Sequence, residues 1–284
     1  MTGDDPRDPR TNWTALSQAE RDAAYDNNKA VANSPALIAA RNDASATLRA
    51  RHPTLLDIPY GDRERRKIDL YPARDNSAPC LVFIHGGYWQ RNSREVFAML
   101  VEGMAAHGWS VAIPSYSLAP DATLTEIVQE ILCALDWLAD NGPSHGIAGP
   151  VVLSGWSAGA HLAALALDHP LVAAGLAVSG VYDLAPIRDT SLNIVLKLTD
   201  DEIARLSPLR LPVVQKHLAI AYGSAELPAL VWDSKKFHNT RKAAGAPGEL
   251  VVVEGADHFT ILEELRRADG VLAKLALALA AEPG

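Results

Sequence analysis

Gly155-Trp156-Ser157-Ala158-Gly159 sets a serine between two glycines, with an apolar run before it and an alanine-rich run after it. The run 150–154 (PVVLS) predicts a buried strand and 160–167 (AHLAALAL) a helix. A strand-to-helix turn of the form G-x-S-x-G is strained and exposes the serine Oγ at the top of a sheet. A hydroxyl is a poor nucleophile at neutral pH until an imidazole takes its proton. Among nine histidines, His258 suits that role, because it follows the predicted strand ELVVVEG by a short loop and comes last in chain order. His85 is expected to orient the glycine turn that follows it, His161 to start on the helix after Ser157, and His238 to face solvent. The imidazole in turn needs a carboxylate to fix its tautomer. Glu226, in the loop after HLAIAYG, stands where that acid is expected; Asp233 is its rival and Asp183 a weaker one. Asp257 adjoins His258, and neighbouring side chains point apart. A serine, an imidazole and a carboxylate arranged this way transfer acyl groups through a covalent intermediate.

Charge developing on the acyl oxygen requires N–H donors already in place. His-Gly-Gly-Tyr-Trp at 85–89 follows the apolar run LVFI, and Gly86 and Gly87 let the backbone approach a substrate oxygen. The Ala158 N–H, at a helix start just after the serine, is a further donor. Tyr88, Trp89, Trp156 and Tyr182, with Tyr116, gather near these loops although only 6% of the chain is aromatic. Such walls suit a flat apolar leaving group. No His or Cys spacing of a metal site and no phosphate-cradling loop is present, so neither a metal nor a phosphate cradle is expected.

Strand-like and helix-like segments alternate from residue 54 onward. That pattern predicts an α/β fold: a mostly parallel central sheet of about eight strands with helices on both faces. Segments 54–61 and 65–72 predict an antiparallel pair, and 94–108 a helix closed by glycine. Over 123–140, Leu124, Ile127, Val128, Ile131, Leu135 and Leu138 form one apolar face, with Thr123 or Asp121 as N-cap and Gly142 past the end. Residues 1–53 carry no strand signal and are expected to form a helical or extended segment covering the core of a catalytic domain spanning 54–284. Each candidate residue above lies just past a predicted strand, where ligands bind on parallel sheets.

The bulk composition, 48% hydrophobic and 21% charged, fits a globular chain with one large core. A net charge of −8, from 34 acids and 26 bases, disfavours nucleic acid and anionic membranes as partners. Cys80 and Cys133 read as small core residues in a reducing compartment. The polar start lacks a secretory h-region, and the run VLAKLALALA is too short to span a bilayer. The expectation is a cytoplasmic protein with a small-molecule partner, neither nucleic acid nor membrane, and with a homodimer left open.

HGGYWQ (85–90), SYSLAP (115–120), GWSAGAHLA (155–163) and GADHF (255–259) together resemble the α/β-hydrolase superfamily. With the stretch 181–209, which opens Val-Tyr-Asp-Leu and closes Ser-Pro-Leu, the chain is similar to the kynurenine formamidase (arylformamidase) branch. The likeness runs from about residue 55 to the C-terminus, and HGGYWQ with 181–209 is its specific part. It implies hydrolysis of N-formylkynurenine to kynurenine and formate without a cofactor, with Ser157 as nucleophile, Glu226 or its neighbour as acid and His258 as base. Two departures stand out: the branch usually has Asp where Glu226 stands, and His or a smaller residue where Trp156 stands. The branch also holds esterases, so a carboxylesterase acting on short acyl esters is the alternative, and an inactive binding protein a third.

Overall fold

The computed structural model describes residues 12–281. Its strands are β1 (Ile58–Pro59), β2 (Lys67–Tyr71), β3 (Cys80–Ile84), β4 (Ser110–Pro114), β5 (Val151–Trp156), β6 (Val172–Val178), β7 (Leu218–Gly223) and β8 (Leu250–Val253). They form one sheet in the order β1-β2-β4-β3-β5-β6-β7-β8. β1 and β2 pair antiparallel, as does β2 with β4, and every later pairing is parallel. The eight-stranded, mostly parallel α/β architecture agrees with the alternation in the sequence. β3, β4, β5 and β7 are buried along their whole length, as strands covered on both faces must be. β8, at the sheet edge, is only partly buried.

β3 lies between β4 and β5. The chain therefore leaves β3 toward one side of the sheet and leaves β5 toward the other. Diverging connections open a crevice at the carboxyl ends of those two strands. His85-Gly86-Gly87 follows β3 and Ser157 follows β5, so both candidate loops border that crevice.

Helices pack on each face over separate apolar layers. Helix Leu124–Asn141 buries Leu124, Ile127, Val128, Ile131, Leu135 and Leu138, the face read from its spacing. Thr123 is its N-cap, in a reciprocal capping box with Glu126. Gly142 follows its end as the C-cap, at φ −51° rather than left-handed, and a 3₁₀ turn, Gly142–His145, runs on before Gly146 turns at φ 81°. Helix Val271–Ala281 buries Leu272, Ala273, Ala276 and Leu279 on the other face. Segment 94–108 is not one α-helix but a 3₁₀ stretch, Arg94–Leu100, followed by Val101–Ala105. Here the Met99 N–H donates to Ser45 Oγ, and Arg94 turns inward onto Asp69 Oδ1 at 2.9 Å.

The described N-terminal residues carry a 3₁₀ turn, Trp13–Ala15, and three α-helices, Gln18–Ala23, Asn27–Ala30 and Ser34–Arg51. They are tied down by polar contacts: Trp13 Nε1 donates to Asp189 Oδ2 at 3.0 Å, the Ser191 N–H to Asp22 Oδ1 at 2.7 Å, and Tyr88 Oη to the Tyr25 carbonyl at 2.7 Å. Residues 1–11 of that segment lie outside the described ones. Cys80 is fully buried and free, and burial pushes its thiol up to about 12. Among the described residues no helix is long and apolar enough to cross a membrane.

Backbone packs tightly where β5 meets its helix. A Cβ on Gly159 would stand 2.0 Å from the Ile84 carbonyl oxygen, and one on Gly155 would stand 2.2 Å from the Gly159 oxygen. Backbone on both sides leaves nothing to yield cheaply. Gly159→Ala is therefore expected to lower stability by roughly 1–3 kcal/mol or more. Urea unfolding checks it: the midpoint should fall clearly, and an unchanged midpoint would contradict this packing.

Candidate active site

Ser157 sits at φ 58° and ψ −120°, the cap of helix Ala158–Leu165. A non-glycine residue held there costs on the order of 1–3 kcal/mol and needs its surroundings to hold it. The Ser157 N–H donates to the Val178 carbonyl at 2.8 Å, and its own carbonyl accepts from Ala160 and His161 at 3.0 and 3.2 Å. Gly155 and Gly159 allow the strand and helix to approach without a side chain between them. Ala158 opens the helix, so its N–H has no partner one turn back.

Glu226, after β7, and His258, after β8, meet in a buried pair: His258 Nδ1 lies 3.0 Å from Glu226 Oε2. A carboxylate only accepts, so the proton sits on Nδ1 and Nε2 is the basic nitrogen. The other Glu226 oxygen accepts the Ser179 hydroxyl at 2.5 Å and the Gly223 N–H at 2.8 Å. Ser179, at φ 54° just past β6, escaped the sequence reading; its only signal was a Ser-Gly step at a strand end. The His258 loop is fixed twice more. Asp257 Oδ1 accepts the N–H groups of Phe259 and Thr260 at 2.8 and 2.9 Å, and Trp156 Nε1 donates to the His258 carbonyl at 2.8 Å. The other acids weighed from sequence are engaged elsewhere. Asp233 accepts the Tyr182 N–H, and Asp183 accepts from Ala185 and Arg210.

The loop after β3 turns through three residues of positive φ: Gly87 (121°), Tyr88 (50°) and Trp89 (58°). The Gly86 carbonyl accepts from His85 Nδ1 at 3.0 Å and from Asn92 Nδ2 at 3.1 Å. Across a trans peptide the next N–H points the opposite way. These two side chains therefore direct the Gly87 N–H away from themselves, and Gly87 lines the same cavity as Ser157. Gly86 packs against the serine itself, for a Cβ there would stand 2.9 Å from Ser157 Cβ. His85 is stacked on Tyr116 at 4.3 Å, and Tyr116 Oη donates to the His85 carbonyl at 2.8 Å. The expectation that His85 orients the turn thus has a concrete form. His161 is buried, its Nε2 2.6 Å from the Leu206 carbonyl, and His238 is half-buried rather than solvent-facing.

Ser157, His258, Trp156, Tyr88 and Gly87 line a cavity of about 320 Å³. Trp89 and Tyr182, expected as cavity walls, are core residues instead. Trp89 is fully buried with its ring 4.9 Å from His161, and Tyr182 stacks on Phe237 at 4.4 Å. Large apolar rings gain more from a closed layer than from an open pocket. In their place the N-terminal helices supply a polar wall, including Asp22, Asp26, Asn27, Lys29 and Arg41. Nothing in their spacing marked them, because they reach the site through folding rather than through a motif. Among the described residues no three His, Cys, Asp or Glu side chains converge as a metal-ligand set.

Comparison with known proteins agrees with this fold. The family model BD-FAE matches residues 68–169. A kynurenine formamidase of Danio rerio is 30% identical, the match covering 94% of this chain and 98% of that protein. A crystal structure of a candidate thioesterase from Silicibacter sp. superposes with a TM-score of 0.80 at 28% identity, covering 91% of this chain and 99% of that one. An esterase from Mycobacterium marinum shares the fold, with a TM-score of 0.71 at 19% identity, over 88% of this chain and 89% of that one.

Burial holds two of these histidines neutral: His85 is lowered from 6.5 to about 3 and His161 to about 4. Above pH 6.5 both are neutral whether folded or not, and stability does not respond to them. Below it the unfolded chain binds protons that the folded chain refuses, so stability falls until the folded values are reached. Between pH 6.5 and 5 each histidine removes up to about 2 kcal/mol. Urea unfolding at pH 7.5 and 5.0 should show this drop, and His161→Gln should shrink it. A pH-independent stability in that window would contradict the neutral, buried state.

Proposed function

Because the chain belongs to the kynurenine formamidase family of α/β-hydrolases, we propose that this hydrolase cleaves an aryl formamide, N-formylkynurenine, to the arylamine and formate through Ser157. The observation that carries the reading is the buried Glu226–His258 pair at the rim of the cavity that Ser157 lines. Residues 54–284 act as the catalytic body, and the N-terminal helices close one side of its pocket.

Ser157 Oγ attacks the formyl carbon as His258 Nε2 takes its proton. Glu226 steadies the imidazolium that forms, and the fixed Nδ1–H keeps the ring in the productive tautomer. The carbonyl oxygen gathers negative charge and is met by N–H donors of Gly86, Gly87 and Ala158. One such donor typically lowers the barrier by about 3 kcal/mol. The C–N bond then breaks, and His258 returns its proton to the departing arylamine nitrogen. Water attacks the formyl ester on Ser157 and gives its proton to His258. Formate leaves as Ser157 Oγ recovers that proton. An arylamine departs more readily than an alkylamine, which puts this amide within reach of an ester-cleaving apparatus.

The test follows kynurenine absorbance with N-formylkynurenine as substrate. Wild-type enzyme should turn over, Ser157→Ala should lose kcat by on the order of 10⁶-fold, and Glu226→Gln by on the order of 10⁴-fold. Brisk hydrolysis of p-nitrophenyl acetate without cleavage of the formamide would move the function to ester hydrolysis. Retained activity in Ser157→Ala would overturn the serine mechanism altogether.

A further inference from the structure

Helix Ser34–Arg51 brings one arginine to the cavity that Ser157 and His258 share: Arg41, which is only 7% exposed. Its guanidinium lies 4.4 Å from the centre of the Phe97 ring. Two amide oxygens receive it: Asn42 Oδ1, from Nε at 3.2 Å and Nη2 at 3.0 Å, and Asn92 Oδ1, from Nη2 at 3.5 Å. Among the described residues no carboxylate comes within ion-pair distance of it. A guanidinium has five N–H donors, and among the described residues Arg41 Nη1 meets no acceptor.

The other buried arginines are treated differently. Arg94 meets Asp57, Asp69 and Glu95, and Arg241 donates to the carbonyls of Val214, Lys216 and Pro247. Those two are structural, their donors answered by the protein. Arg41 keeps its positive charge at neutral pH, although burial lowers it to about 10. Withdrawing a charge from water without a counter-charge is unfavourable, and a ligand anion would offset that loss.

The rest of the cavity wall does not supply that anion. Asp26 pairs with Lys29 at 3.2 Å, and Asp22 accepts from the Ser191 N–H and from Gln18. Arg91, exposed on the same cavity, adds a second cation that meets no carboxylate among the described residues. With Asp22 held by neutral donors, two cations, Arg41 and Arg91, face one carboxylate without an ion-pair partner on this wall, and a planar guanidinium matches a carboxylate in shape.

We propose that Arg41 is the receptor for a carboxylate on the substrate, so that the enzyme favours anionic aryl formamides over neutral ones of the same shape. This specificity rests on the formamidase reading only for the bond that is cut. It accounts for why the site is finished by an N-terminal helix: the hydrolytic groups lie after β3, β5, β7 and β8, and the anion receptor comes from a separate element.

The test compares N-formylkynurenine with its carboxamide, which has the same size without the negative charge. Wild-type enzyme should prefer the acid by about tenfold or more in kcat/KM, and Arg41→Gln should erase that preference. The loss for the acid should be about 10–100-fold, the range of a charge-assisted hydrogen bond, and should fall on KM more than on kcat. Arg41→Lys, which keeps the charge without the fork, should restore part of it. Equal losses for acid and carboxamide would assign Arg41 a purely structural role through Asn92, and the proposal would fail. Absence of preference in the wild type would end it as well. If neither formamide is cleaved, the formamidase reading fails, and inhibition of p-nitrophenyl acetate hydrolysis decides the anion site by itself. Kynurenine should then inhibit more strongly than kynurenine carboxamide in the wild type and equally in Arg41→Gln; equal inhibition in both enzymes would overturn the receptor.

Discussion

A serine held at φ 58° and ψ −120° between two glycines is the constraint on which the site depends. The conformation is unfavourable for any residue with a Cβ, and it persists because the strand and helix around it are pressed together. Gly155 pairs with Ile84 across the sheet, while Gly159 lies against the Ile84 carbonyl from above. The register of β3 with β5 therefore sets the height of Ser157 over the sheet. The same register sets the distance to the loop after β3, where Gly86 packs directly on the serine. The proposed nucleophile and the proposed oxyanion donors are thus placed by one backbone contact rather than by two independent loops.

The two positions where the sequence departs from the branch it resembles converge on one residue. Glu226 receives the ring proton of His258, and Trp156 donates to the His258 backbone carbonyl. Trp156 also lies beside the ring, 4.7 Å centre to centre. A longer acid reaches further from its loop, and its second oxygen is anchored by Ser179 and Gly223 so that the added freedom is removed. The bulky indole in turn pins the loop that carries the imidazole. Both changes serve the orientation of His258, so Trp156 has a positioning role as well as a place in the cavity wall.

Much of this was legible in the sequence because it depended on local pattern. Alternating apolar runs marked the strands, and the spacing in 123–140 marked the buried face of its helix. G-x-S-x-G and the order serine, acid, histidine singled out Ser157, Glu226 and His258. What escaped depended on contacts between distant segments. Trp89 and Tyr182 sit near the right loops in sequence but turn into the core. Ser179, Asn92 and Arg41 carry no motif, and their roles follow from which atoms they meet. Segment 94–108 had helical spacing, yet partners from the N-terminal region and β2 draw it into a tighter turn. Pattern reports which face is apolar; it does not report which distant polar group will claim a donor.

The central claim is that Ser157 Oγ is a nucleophile made reactive by His258. It is tested most directly by treating the native protein with a fluorophosphonate, which phosphonylates activated serines, and locating the adduct by peptide mass spectrometry. The account predicts a single adduct on the peptide holding Ser157, formed orders of magnitude more slowly in His258→Ala. No adduct at Ser157, or an adduct elsewhere that abolishes hydrolysis, would contradict it.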